Sequence, residues 1–148
     1  MEREKILVSA CLLGQPCKYS GESNYCESVT EYLRERKAEA VPVCPEVMGG
    51  LSTPREPAEI KGERVVTRTG RDVTEAFVRG AEAAAETAAE EGCHIAILKE
   101  RSPSCGNGFV YDGSFEKRLI PGDGIAARLL KEKGLTVMGE SALGKGTE

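Results

Sequence analysis

Four short stretches of the chain are apolar without alternation, at residues 5–10, 40–43, 94–99 and 135–138. Continuous apolar runs such as Ile95-Ala96-Ile97-Leu98 suit strands covered on both faces, as in a parallel sheet. Between them the period lengthens. Tyr25, Val29, Tyr32 and Leu33 recur at i, i+4, i+7 and i+8, and Phe77, Ala81, Ala84, Ala85 and Ala88 follow a similar helical spacing on a longer, Ala-rich stretch. Thr74 is placed to cap that second helix and Gly92 to end it. Ile125, Leu129 and Leu130 mark a third helix, closed by Gly134. A Gly/Pro-rich loop over 49–57 leads to a short extra strand at 63–68. Residues 109–111 and 118–120 flank Asp112-Gly113 as a hairpin. The alternation predicts an α/β fold: a three-layer domain with a short, mainly parallel sheet, right-handed crossovers, strand order 2-1-3-4 and a small hairpin.

A length of 148 residues fits one compact domain over 1–148, with a frayed tail from about residue 142. The net charge of −4 gives no global pull toward nucleic-acid phosphates or an anionic membrane. An aromatic share of 5% without Trp argues against a stacking platform for single-stranded nucleic acid. The charged start and the interrupted apolar run after it form neither a signal core nor a membrane span, so a reducing cytoplasm is the expected location. Six cysteines in that setting are expected to be buried small residues, metal ligands or reactive thiols rather than a disulfide framework.

Position separates them. Cys11 and Cys44 lie just past the ends of the first and second predicted strands, and Cys105 sits in the Ser102-Pro103-Ser104-Cys105-Gly106 loop after the third. Ligands of open α/β sheets bind beyond the carboxyl ends of the strands, so these thiols share one rim. Gly14, Gly49, Gly50, Gly106 and Gly108 offer close backbone approach to a bulky group or an anion. Cys17 is within reach of the same rim, whereas Cys26 and Cys93 read as structural. No CxxC pair occurs, which argues against a zinc ribbon or a thioredoxin-like motif. Spacing alone leaves two readings open, a metal or cluster site and buried thiols in loop packing. Glu46, two residues after Cys44, is held near that rim. Arg55 and Glu59 are candidate pocket residues, and His94, at a strand start, receives no role.

The blocks Ser9-Ala10-Cys11-Leu12-Leu13-Gly14, Cys44-Pro45-Glu46, Thr53-Pro54-Arg55, Lys99, Ser102-Pro103-Ser104-Cys105-Gly106 and Tyr111-Asp112-Gly113-Ser114-Phe115 resemble, in order, those of the thiouracil desulfurase (TudS) family. The resemblance spans about residues 5 to 140. It implies a Rossmann-like α/β domain and a [4Fe–4S] cluster whose iron is held by Cys11, Cys44 and Cys105, with one iron lacking a protein ligand. It maps the acid/base carboxylate onto Glu46 and a supporting hydroxyl onto Ser102. Lys18, Ser20 and Ser52 depart from the family, which often has Arg, Asp and Pro there, and this bears on the exact substrate. The implied activity is non-redox removal of sulfur from thiolated uracil, a C–S bond hydrolysis. On that reading the thiocarbonyl sulfur would bind the open iron, and Glu46 would assist attack by water. Two rivals differ in what they need. Desulfuration of thiouridine in tRNA needs a basic docking surface, and a non-catalytic iron–sulfur or metal-binding protein has no need of Glu46.

Overall fold

The computed structural model describes residues 3–143; the tail expected at 144–148 lies outside them. Strand β1 (Lys5–Ser9) runs into a 3-10 turn (Ala10–Leu13), then helix α1 (Glu27–Arg36) and β2 (Glu39–Val43). A one-turn helix α2 (Pro45–Met48) and a hairpin of β3 (Ala58–Lys61) and β4 (Arg64–Thr67) come next. Helix α3 (Thr74–Glu91), β5 (Ile95–Leu98), a hairpin of β6 (Phe109–Tyr111) and β7 (Leu119–Pro121), α4 (Ile125–Glu132) and β8 (Thr136–Gly139) complete the order.

The four apolar runs form one parallel sheet in the order β2-β1-β5-β8, which in its own strand numbering is the expected 2-1-3-4. Successive side chains leave opposite faces of a strand. Accordingly Ile6, Val8 and Ile97 pack with Val29 and Leu33 of α1 on one face. Leu7, Ala96 and Leu98 pack with Ala84 and Ala88 of α3 and Ala127 and Leu130 of α4 on the other. The result is the three-layer arrangement expected from the alternation. The chain leaves β1 toward β2 on one side and leaves β5 toward β8 on the other. A crevice therefore opens between the carboxyl ends of β1 and β5.

Several local expectations change. Thr74 does not cap α3: it is the first helical residue, and its hydroxyl accepts the Val65 backbone N–H at 2.8 Å. The carboxylate of Asp72 takes the cap role, accepting the Thr74 N–H at 2.9 Å. Gly92 does end the helix, in the left-handed conformation. The extra strand pairs with β3, whose polar alternation gave no strand signal, and the second arm of the β6–β7 hairpin starts one residue later than expected. Gly49 does not make room for a bound group. It meets the backbone of Ala76, and Gly80 of α3 meets the carbonyl of Pro45, so α2 and α3 touch backbone to backbone. Gly106 likewise faces the Ser102 carbonyl.

Candidate functional site

The crevice is a cavity of about 430 Å³, and its lining includes Cys11, Cys17, Cys44 and Cys105. The fold explains the convergence. The 3-10 turn that continues β1 carries Cys11, Cys44 follows β2 at the N-terminus of α2, and Cys105 lies in the loop after β5. Three segments, 33 and 61 residues apart in sequence, meet because β2, β1 and β5 are parallel neighbours. Of the remaining thiols, Cys26 packs at the α1 face of the sheet, and Cys93 is buried in the core under α3. All six cysteines are unpaired.

The cavity thiols are supplied with hydrogen bonds. Asn24 Nδ2 donates to Cys11 Sγ at 3.4 Å, and Ser104 Oγ lies 3.7 Å from Cys105 Sγ. Burial pushes the Cys11 thiol up, and pushes Cys105 up to about 12 against the hydrogen bonds of Ser9 and Ser104. Cys17 also rises to about 12, through burial and then the neighbouring Cys44 thiol, to which it is hydrogen-bonded. Desolvated thiolates need a cationic partner, and a metal centre supplies one. Among the described residues no three His, Cys, Asp or Glu side chains converge as the donor set of a single metal ion. Cys11, Cys44 and Cys105 all line the one cavity. Soft thiolates so arranged fit an iron–sulfur group of several atoms.

Glu46 lines this cavity. It is the second residue of α2, and both its oxygens are held. Arg55 Nε donates to Oε1 at 3.0 Å and Ser104 Oγ donates to Oε2 at 3.0 Å. The Glu46 and Arg55 side chains are 15% and 9% exposed, so this ion pair is largely shielded from water. Arg55 also donates to the carbonyls of Cys17 and Ser52 and to Thr53 Oγ1. One guanidinium thereby joins the carboxylate to the Cys17 loop.

Ser102 stands one step further away than expected. Its Oγ accepts the backbone N–H groups of Ser104 and Cys105, each at 3.1 Å. The Ser102 and Ser104 hydroxyls are 3.0 Å apart; when Ser104 gives its single proton to Glu46 at 3.0 Å, and not to the more distant Cys105 sulfur, Ser102 donates to Ser104 Oγ. The hydroxyl that touches the carboxylate belongs to Ser104, a residue the sequence did not single out. Lys99 reaches the cavity too, held by Glu140 at 2.9 Å and the Glu100 carbonyl at 3.1 Å. Arg55 and Glu59 both line the cavity, whereas His94, just before β5, does not.

A Rossmann-like α/β domain with three cysteines and a held carboxylate at the ends of its parallel strands defines a class of thiolate-centred sites. Residues 6–142 match the family model for 2-thiouracil desulfurase, and the chain belongs to that family. It is 45% identical to the uncharacterized protein YbbK of Bacillus subtilis (strain 168), over 93% of this chain and 97% of that protein. It is also similar to a solved structure described as a [4Fe–4S]-dependent thiouracil desulfidase, TudS. That match has 48% identity and a TM-score of 0.88, over 95% of this chain and 93% of the other.

Proposed function

We propose that the chain holds a [4Fe–4S] cluster on Cys11, Cys44 and Cys105 and hydrolyses the C–S bond of a thiolated uracil. One observation carries this reading: the carboxylate of Glu46 is fixed by Ser104 and Arg55 on the wall of the same cavity that the three thiols line. A cluster bound there supplies a soft Lewis acid for a thiocarbonyl sulfur, through an iron without a protein ligand. The solved desulfidase and the family model support that choice of cofactor and substrate class.

The chain's own groups do the rest. Glu46 takes a proton from the water that attacks the carbon bearing sulfur, using a lone pair that its two partners leave free. The same carboxyl then returns the proton to a ring nitrogen or to the departing sulfur. The overall change is C=S plus water to C=O plus hydrogen sulfide, with no net electron transfer. Ser104 and Arg55 hold the carboxylate in one orientation, and Ser102 orients Ser104. Six free thiols suit a reducing compartment, and the cytoplasm is the location we infer.

The test is anaerobic sulfide release from 2- and 4-thiouracil, with thiolated tRNA assayed in parallel. The parent protein is expected to release sulfide from the free base. The Glu46→Gln variant should keep the brown chromophore and lose about 100-fold or more in rate. Parental turnover by Glu46→Gln would remove the base from the mechanism, and release from tRNA alone would move the substrate to RNA.

A further inference from the structure

The cavity lining has a further part, supplied by the hairpins, that the mechanism above does not use. It includes Glu59, Arg68, Tyr111, Phe115 and Lys117, from the two hairpins and the turn of the second. Glu59 Oε1 accepts two backbone N–H groups from that turn, Gly113 and Phe115, each at 3.0 Å. The turn presses on β3 closely enough that a Cβ at Gly113 would lie 2.8 Å from the Lys61 Cβ. Phe115 and Lys117 adopt left-handed backbone, at φ 60° and 62°, which non-glycine residues take up when the surroundings hold them there. The Arg68 guanidinium sits over the Phe115 ring, 5.7 Å from its centroid. A carboxylate therefore holds the backbone that carries this ring, and a cation covers one face of it. Of the seven aromatic residues in the chain, Tyr19, Tyr111 and Phe115 all line this one cavity. That enrichment is large for a chain with so few rings.

We propose that Phe115, positioned by Glu59, is the specificity wall of the site, packing against the planar heterocycle of the ligand. The inference rests on the desulfurase reading for the identity of the heterocycle, a pyrimidine. Phe115 contributes contact area and ring stacking, which act on the bound base before and after the sulfur leaves. It lowers the Kd of base and KM together and leaves the chemical step alone. Glu59 acts only through the turn it holds.

Uracil, which carries no sulfur, is the probe. Its Kd is measured by anaerobic calorimetry on the cluster-loaded protein, alongside KM and kcat for thiouracil, in the parent and in Phe115→Leu, Phe115→Tyr and Glu59→Ala. Phe115→Leu should raise the uracil Kd and the thiouracil KM by about 3- to 10-fold with kcat within about twofold. Phe115→Tyr should restore both, and Glu59→Ala should shift both in the same direction as Phe115→Leu. Thermal unfolding of each variant shows that the chain is folded, and Phe115→Tyr keeps the comparison valid where Glu59→Ala is unstable. A Kd unchanged in Phe115→Leu, or a parent that does not bind uracil, overturns the wall. Uracil binding without sulfide release would instead defeat the desulfurase reading, and the Kd ratio would still decide the wall.

Discussion

Replacing Gly80 by Ala should damage the site from outside it. Gly80 lies in α3, and its α-carbon faces the carbonyl of Pro45, the residue between Cys44 and Glu46. A Cβ there would lie 2.6 Å from the Pro45 carbonyl carbon and closer still to its oxygen, where ordinary contact begins at 3.4 Å. The Pro45 oxygen would lie 1.8 Å from that Cβ, so the two helices must part by more than about 1 Å, and both groups are backbone. Overpacking of this kind costs about 3 kcal/mol or more. Alanine returns about 1 kcal/mol through its better helix propensity. The net loss of stability is therefore about 2 kcal/mol or more, and Tm should fall by several degrees or more. Function responds differently. Glu46 and Cys44 ride on the displaced turn, and a misplacement of about 1 Å can cost about 100-fold in rate. The assay is anaerobic sulfide release from thiouracil, normalised to iron content, with Tm from circular dichroism. A folded Gly80→Ala enzyme with parental kcat/KM would show that the backbone contact of α2 with α3 does not set the position of the carboxylate.

Three further outcomes follow from the geometry. Protein reconstituted with iron and sulfide should be brown and should lose colour with Ala at Cys11, Cys44 or Cys105, but keep it with Ala at Cys26 or Cys93; a colourless parent that binds zinc tightly would refute the cluster. Ser104→Ala removes the hydroxyl that touches Glu46 and should lower kcat by about 10-fold, more than Ser102→Ala, given the worth of a hydrogen bond to a charged group; the reverse order would place the working hydroxyl on Ser102. Asp72 is held well below the usual carboxylate range by Arg64 and the Thr74 N–H. Its stabilisation is full above the ordinary value near 3.8 and is lost as pH falls below it, so Asp72→Asn should lower Tm at pH 7 by about 2–4 °C and the gap should close in acid. A gap that persists at low pH would contradict the linkage.

The central sheet was legible because its strands are short apolar runs, and its two middle strands, β1 and β5, are buried on both faces. The meeting of three thiols was legible from the same pattern: once the strand ends are known, Cys11, Cys44 and Cys105 fall at one rim. What escaped was decided by contacts between distant segments. Ala58-Glu59-Ile60-Lys61 carries no strand signal of its own, and becomes a strand where Ile60 and Val65 pack on Phe77 of α3. Thr74 and Asp72 are both good caps by residue type, and only the approach of β4 assigns the Thr74 hydroxyl to Val65. Ser102 and Ser104 are alike in sequence, and the turn between them decides which one reaches Glu46. The role of Glu59 was invisible because its partners are backbone groups 54 and 56 positions away.

Neither hairpin shares a ladder with the parallel sheet. The thiols and Glu46 are anchored to the sheet ends and to α2 on α3, while Phe115 and Arg68 belong to the hairpins. The two parts of the cavity lining therefore rest on different supports. On the proposed reading, changes in the 112–118 turn would retune which heterocycle is accepted while the thiols keep their places at the sheet ends. A site divided in this way is open to evolutionary change of substrate, and to engineering, at the cost of only one wall.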